Sequence, residues 1–267
     1  MKNRRAMIAL GNRAMGRLPL RAAIFGVLTS LVAAGFAGAQ TPPPVGGIAS
    51  PPGAMIFYVA HGAAGACGPG CSEWIAAEGT VQWDTYKRLL AILDRQAGRK
   101  PPVVIHVWGQ SNFNVSASMG RILRDRGIDA TVGSTEVEAC NEKPEAECFA
   151  AKRQGGLLDA KMDFKDARCD TACVLMLAGG VHRSLPAGTR MILSGMTIRN
   201  RLAPNVSDER RAGLTELFGQ QFRLYLREMG VDPELIDIID RNSETGRATE
   251  IPPSDWTRLR IVTSSAL

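Results

Sequence analysis

The spacing of apolar positions changes several times along this chain, and each change marks an element. Val103-Val-Ile-His-Val-Trp108 is apolar on both faces, the pattern of a buried strand. Met55 to Ala60, Trp74 to Ala77, Ala130 to Val132 and Met191 to Leu193 are shorter apolar runs that predict further strands. Asp84 to Arg95 carries Leu89, Leu90 and Leu93 at helical spacing. Val115 to Arg126 predicts a second helix, with Gly127 where a C-cap glycine belongs. After Asp170 a small apolar helix is expected to about Ala178, and Pro186-Ala-Gly turns the chain into the last of those strands. Leu214, Leu217, Phe218, Phe222 and Leu226 predict a helix over Asp208 to Met229, and Pro233 opens another through Ile239. The stretch Gly133 to Arg168 is polar and predicts a long loop with at most one helical turn. Strands alternating with helices define an α/β protein, with a parallel sheet and right-handed crossovers as the expectation.

Charge alters this picture at one end. Residues 1–39 hold Lys2, Arg4, Arg5, Arg13, Arg17 and Arg21 and no acid, then an uncharged run from Ala22 to Ala37-Gly38-Ala39. Basic, then apolar, then a small-residue site is the layout of a secretory signal peptide. The alternative is an uncleaved anchor in the inner membrane, since the run is just long enough to span. Those six positive charges account for all of the formal net charge of +6, leaving 26 basic against 26 acidic residues. A neutral mature chain removes the electrostatic case for a nucleic-acid partner. It also leaves no membrane contact expected once the signal is cleaved. Residues 40–54 are rich in proline and glycine and read as a tether, so order is expected from Met55 and residues 55–267 suffice for one domain. The location implied is periplasmic or secreted.

Six cysteines in an exported chain are expected to be oxidised. They fall as Cys67/Cys71, Cys140/Cys148 and Cys169/Cys173. Cys67-Gly-Pro-Gly-Cys71 has turn residues between its thiols and suits a local bridge. A four-residue offset at a helix start suits one less, so Cys169 and Cys173 each remain candidates to reach the Cys140–Cys148 loop. Zinc binding by the two C-x-x-x-C pairs is disfavoured, because their spacing is looser than a zinc knuckle and no histidine joins them. No metal and no cofactor is expected.

The segment Cys169-Asp-Thr-Ala-Cys-Val-Leu-Met-Leu-Ala-Gly-Gly180, followed by Arg183-Ser-Leu-Pro-Ala-Gly-Thr-Arg-Met-Ile-Leu193, resembles the crotonase-like superfamily that contains the Clp protease proteolytic subunit. Its secreted bacterial relatives are the best likeness. Ala66 to Gly79, Met229-Gly-Val-Asp-Pro233 and Pro253-Ser-Asp-Trp256 extend it. The resemblance implies a single domain built as a repeated β-β-α superhelix with C-terminal helices. It puts Thr171 in the place of the nucleophilic serine and Ser194 in the place of the basic histidine. Gln110 and Ser111, within Trp108-Gly-Gln-Ser-Asn112, stand where relatives have the oxyanion glycines. A late acid would fall near Asp240 or Glu244.

Those departures bear on chemistry. A hydroxyl is a weak nucleophile until a base takes its proton, and serine is no base at neutral pH. Losing an oxyanion donor costs about a hundred- to a thousand-fold in rate, and losing nucleophile or base about a million-fold. The resemblance therefore implies a catalytically inactive protein that binds a peptide or small ligand in the vestigial cleft, through Gln110, Ser111, Asn112, Thr171, Ala172 and Ser194. Two alternatives stay open. One is a residual serine-peptidase-like hydrolase using Thr171, with His182 displaced into the role of base, or His106 from the buried strand. The other is an assembly module acting as a homo-oligomer. His61, in a loop near Cys67, is expected to be exposed or structural.

Overall fold

A computed structural model describes residues 53–196 and 207–263. The signal segment and all but the last two residues of the tether lie outside the described residues. The chain opens with two antiparallel strands, β1 (Ile56–His61) and β2 (Glu73–Gly79), in a register that sets Tyr58 opposite Ala76. Helix α1 (Thr85–Arg95) leads to β3 (Val103–Val107), which runs parallel to β2. Helix α2 (Phe113–Arg126) follows and returns the chain to β4 (Ala130–Val132), parallel to β3. The Asn112 side chain caps α2 by accepting from the Val115 N–H, and Gly127 ends it at φ 66°, where only glycine sits without strain.

From Gly133 to Arg168 the chain is not the long loop that its polarity implies. It forms β5 (Ser134–Val137), a 3-10 turn at Glu138–Cys140, α3 (Glu145–Arg153) and β6 (Leu157–Asp163). β6 pairs parallel to β1 and antiparallel to β5, which completes a six-stranded sheet of order β4-β3-β2-β1-β6-β5. The sheet is therefore mixed, not parallel. The β1–β2 connection contains no crossover helix, so the pair can only be antiparallel.

The remaining elements are β7 (Arg168–Asp170), α4 (Thr171–Leu177), β8 (Arg190–Ser194), α5 (Asp208–Glu228), α6 (Glu234–Thr245), β9 (Ala248–Ile251) and α7 (Pro253–Arg258). β8 pairs parallel to β7 and antiparallel to β9 in a second, three-stranded sheet. Every residue of α4 is buried, as its sequence, apolar after Thr171, requires. It packs closely on α2: a side chain at Gly179 would collide with the Gly120 backbone, and one at Gly120 with the Tyr225 hydroxyl. Its C-terminal carbonyls are collected by two arginines. Arg124 donates to Ala178, Gly179, Gly180 and Met229, and buried Arg183 donates to Ala178, Gly180, Met229, Arg260 and Ile261. Burial holds the Arg183 guanidinium down at about 10, with the neighbouring Arg124 charge adding to the effect.

All three disulfides are local: Cys67–Cys71, Cys140–Cys148 and Cys169–Cys173. The last corrects the expectation that Cys169 and Cys173 reach for the 140–148 loop. Cys169 lies on β7 rather than in the helix, and the chain bends sharply at extended Asp170 (φ −84°, ψ −177°), bringing the two Cα atoms to 5.1 Å.

Candidate functional site

The start of α4 is set by β7 and β8. Their parallel ladder ends with Asp170 opposite Ile192, and the Thr171 side chain continues it where the backbone turns helical. Its Oγ1 donates to the Ser194 carbonyl (3.1 Å) and accepts from the Ser194 N–H (3.0 Å), with the Ser194 hydroxyl a further 3.5 Å contact. Thr171 is 1% exposed. Asp170 caps the helix by accepting from the Cys173 N–H at 2.9 Å, and burial raises its carboxyl above the ordinary range. No carboxylate or imidazole among the described residues is hydrogen-bonded to Thr171 or Ser194.

A cleft of about 510 Å³ opens beside this helix start. Ser194 and Asp170 reach it, together with His106 and Trp108 from the end of β3 and with Lys165, Arg168 and Arg190. Gln110, Ser111, Asn112, Thr171 and Ala172 do not line it. Ser111 Oγ accepts from the Val81 N–H (3.0 Å), the Asn112 N–H donates to the Val81 carbonyl (2.9 Å), and Asn112 also caps α2. The 108–112 loop is thus fastened to the chain just after β2, and Gly109, which lines the cleft, has to be glycine because its φ is 71° and a side chain there would strike Thr80. Ala172 is buried within the core.

The histidines separate. His182 is exposed over 72% of its side chain and lines a different cavity of about 630 Å³, where Asp129 Oδ1 accepts from its backbone N–H (3.0 Å) and faces its Nδ1 at 2.9 Å. The structure therefore does not bring His182 to Thr171. His61 faces Asp159 at 3.3 Å on the surface. His106 does face the cleft, its ring meeting Trp108 edge-on at 4.9 Å. Burial lowers the His106 imidazole below its ordinary value, nearby Glu78 opposing and Lys152 reinforcing the shift.

Behind His106 lies a buried network that sequence reasoning missed. Glu78, paired in register with His106, accepts from the Tyr58 hydroxyl (2.9 Å), the Thr135 N–H (3.3 Å) and Lys152 Nζ (2.7 Å). Burial beside this carboxylate pushes the Tyr58 phenol far up. The partners come from separate strands and from α3, and no motif marks them. Missed too is Asn242, which ties α6 to the second sheet: its Nδ2 donates to the Leu193 carbonyl and its Oδ1 accepts from the Thr249 hydroxyl. Asp240 binds Arg223, and Glu244 is exposed.

Among the described residues no group of three or more His, Cys, Asp or Glu could hold a metal, and no helix is long and apolar enough to cross a membrane. The chain is thus a mixed α/β protein with three local disulfides, fitting an oxidising compartment, and a cleft of mixed apolar and charged lining at the start of a buried helix. No family model and no curated protein matches the chain. Among solved structures, a mutant of the 1510-N membrane-bound stomatin-specific protease is similar at a TM-score of 0.40 and 11% identity, covering 68% of this chain and 72% of that one.

Proposed function

We propose that this chain is an exported, catalytically inactive member of the Clp and crotonase-like superfamily that binds a peptide or small ligand in the cleft at the start of α4. The opening β1-β2-α1 order supports the superfamily reading, and three disulfides support export. One observation carries the functional part. The Thr171 hydroxyl gives its proton to the Ser194 carbonyl and takes the Ser194 N–H, so the atom that would attack serves as a rung between α4 and β8. Freeing it would strand the Ser194 amide at a cost of about 1–3 kcal/mol, and no base stands ready to take its proton. The cleft beside it keeps ligand-sized room and polar groups.

Treating the oxidised protein with a fluorophosphonate and measuring intact mass tests this. The mass is expected to stay unchanged. A one-probe increase mapping to Thr171 would establish an activated hydroxyl and overturn the reading. His106 favours the residual-hydrolase alternative, because a neutral imidazole faces the same cleft. Under that alternative the label appears and His106→Gln abolishes it.

A further inference from the structure

Strand pairing places Arg168 directly opposite Arg190 on the wall of this cleft. Like charges opposite one another on neighbouring strands repel, and here Glu250 pairs with Arg190 alone, through Nε (3.3 Å) and Nη2 (2.8 Å). Among the described residues neither Arg168 nor Lys165, which rims the same cleft, makes an ion pair. Asp166 and Asp170 line the cleft too, Asp170 using one carboxylate oxygen to cap α4 and lying within the field of Arg168. Three cations against two carboxylates line the cleft, and Lys165 and Arg168 are open to solvent. Trp108 lines the same cleft and is 44% exposed, with the His106 ring against it at 4.9 Å.

We infer that the cleft takes an organic anion with a flat apolar body, its anionic group between Lys165, Arg168 and Arg190 and its body against Trp108. This rests on the binding reading above and gives it a ligand chemistry. A guanidinium pair grips a carboxylate or phosphate through several N–H donors at once, and the approach of an anion relieves the Arg168–Arg190 repulsion. An indole supplies area for a planar partner with little side-chain entropy to lose.

Naphthalene-2-carboxylate and its uncharged carboxamide, titrated into the oxidised full-length protein by calorimetry and tryptophan fluorescence, test the assignment. The carboxylate is expected to bind at least about tenfold tighter than the amide, the preference shrinking as salt is added. Lys165→Ala with Arg168→Ala removes the preference, Arg168→Gln leaves an intermediate one, and Trp108→Ala weakens both probes alike. All three positions are exposed, so the variants keep the fold, which circular dichroism checks. Equal binding of the two probes, a preference that survives the double variant, or no saturation by either probe to about 10 mM would overturn the inference. Fluorophosphonate labelling of Thr171 is read separately. A labelled protein that still prefers the carboxylate sinks the inactive reading and leaves this one standing; an unlabelled protein without the preference does the reverse.

Discussion

The two ends of α4 solve the same problem with opposite charges. At its C-terminal end the unpaired carbonyls are gathered by Arg124 and Arg183, neither of which makes an ion pair among the described residues. At its N-terminal end an Asp170 carboxylate caps one N–H, and Thr171 binds both backbone groups of Ser194. An enzyme of the resembling superfamily would leave the second end unfinished, a hydroxyl exposed to substrate. Here the Thr171 hydroxyl is bonded to both backbone groups of Ser194 and acts as a fastener.

The sharpest way to break the comparison is to unfasten each end. Arg183→Ala removes five carbonyl contacts at a buried site and is expected to cost about 3 kcal/mol or more in chemical denaturation. Thr171→Val keeps the shape but leaves the Ser194 N–H without an acceptor, costing about 2 kcal/mol. Thr171→Ser keeps both bonds and is expected to be near neutral, with no esterase turnover, because Ser194 still offers no base. Removal of the cap by Asp170→Ala costs about 1 kcal/mol. A result in which Thr171→Val is neutral while Arg183→Ala is severe would mean the two ends are not equivalent.

The smallest effect concerns pH. Burial lowers the His106 imidazole below its ordinary 6.5. The unfolded chain therefore takes up this proton more readily than the folded one. The stability that goes with a neutral His106 is complete above pH 6.5 and is lost as pH falls below it. Denaturation midpoints followed from pH 7.5 downward should decline less in His106→Gln than in the parent.

Hydrophobic period alone located the elements that bury a stripe or a whole run. α1, α2, α4 and β3 carry their apolar residues at diagnostic spacing, and Asn112 and Gly127 bound α2 as their cap chemistry requires. β6 was hidden because only Ala160 of its seven residues is buried; it holds its place through the ladders to β1 and β5, which leave no mark on side-chain choice. β9 was hidden for the same reason, with Ile251 alone buried. At the site, the resemblance paired Thr171 with Ser194, and the fold brings those two together. It could not foresee that the contact would use the Ser194 backbone, because that depends on where the β7–β8 ladder stops. Sequence distance misled on His182, eleven positions from Thr171 but in another cavity. The cationic wall was unreadable because Lys165 and Arg168 fall in a segment taken for loop, and Arg190 faces them only through strand pairing.

The Thr171 hydroxyl is a rung that extends the β7–β8 ladder. Amide hydrogen exchange at Ser194, measured in the parent, Thr171→Ser and Thr171→Val, reads that rung directly. Slow exchange in the parent and the serine variant, with fast exchange at Ser194 but continued protection at Ile192 in the valine variant, is the expected result. Unchanged protection of Ser194 in Thr171→Val would show that the hydroxyl does not hold it and would return Thr171 to the role of a free nucleophile.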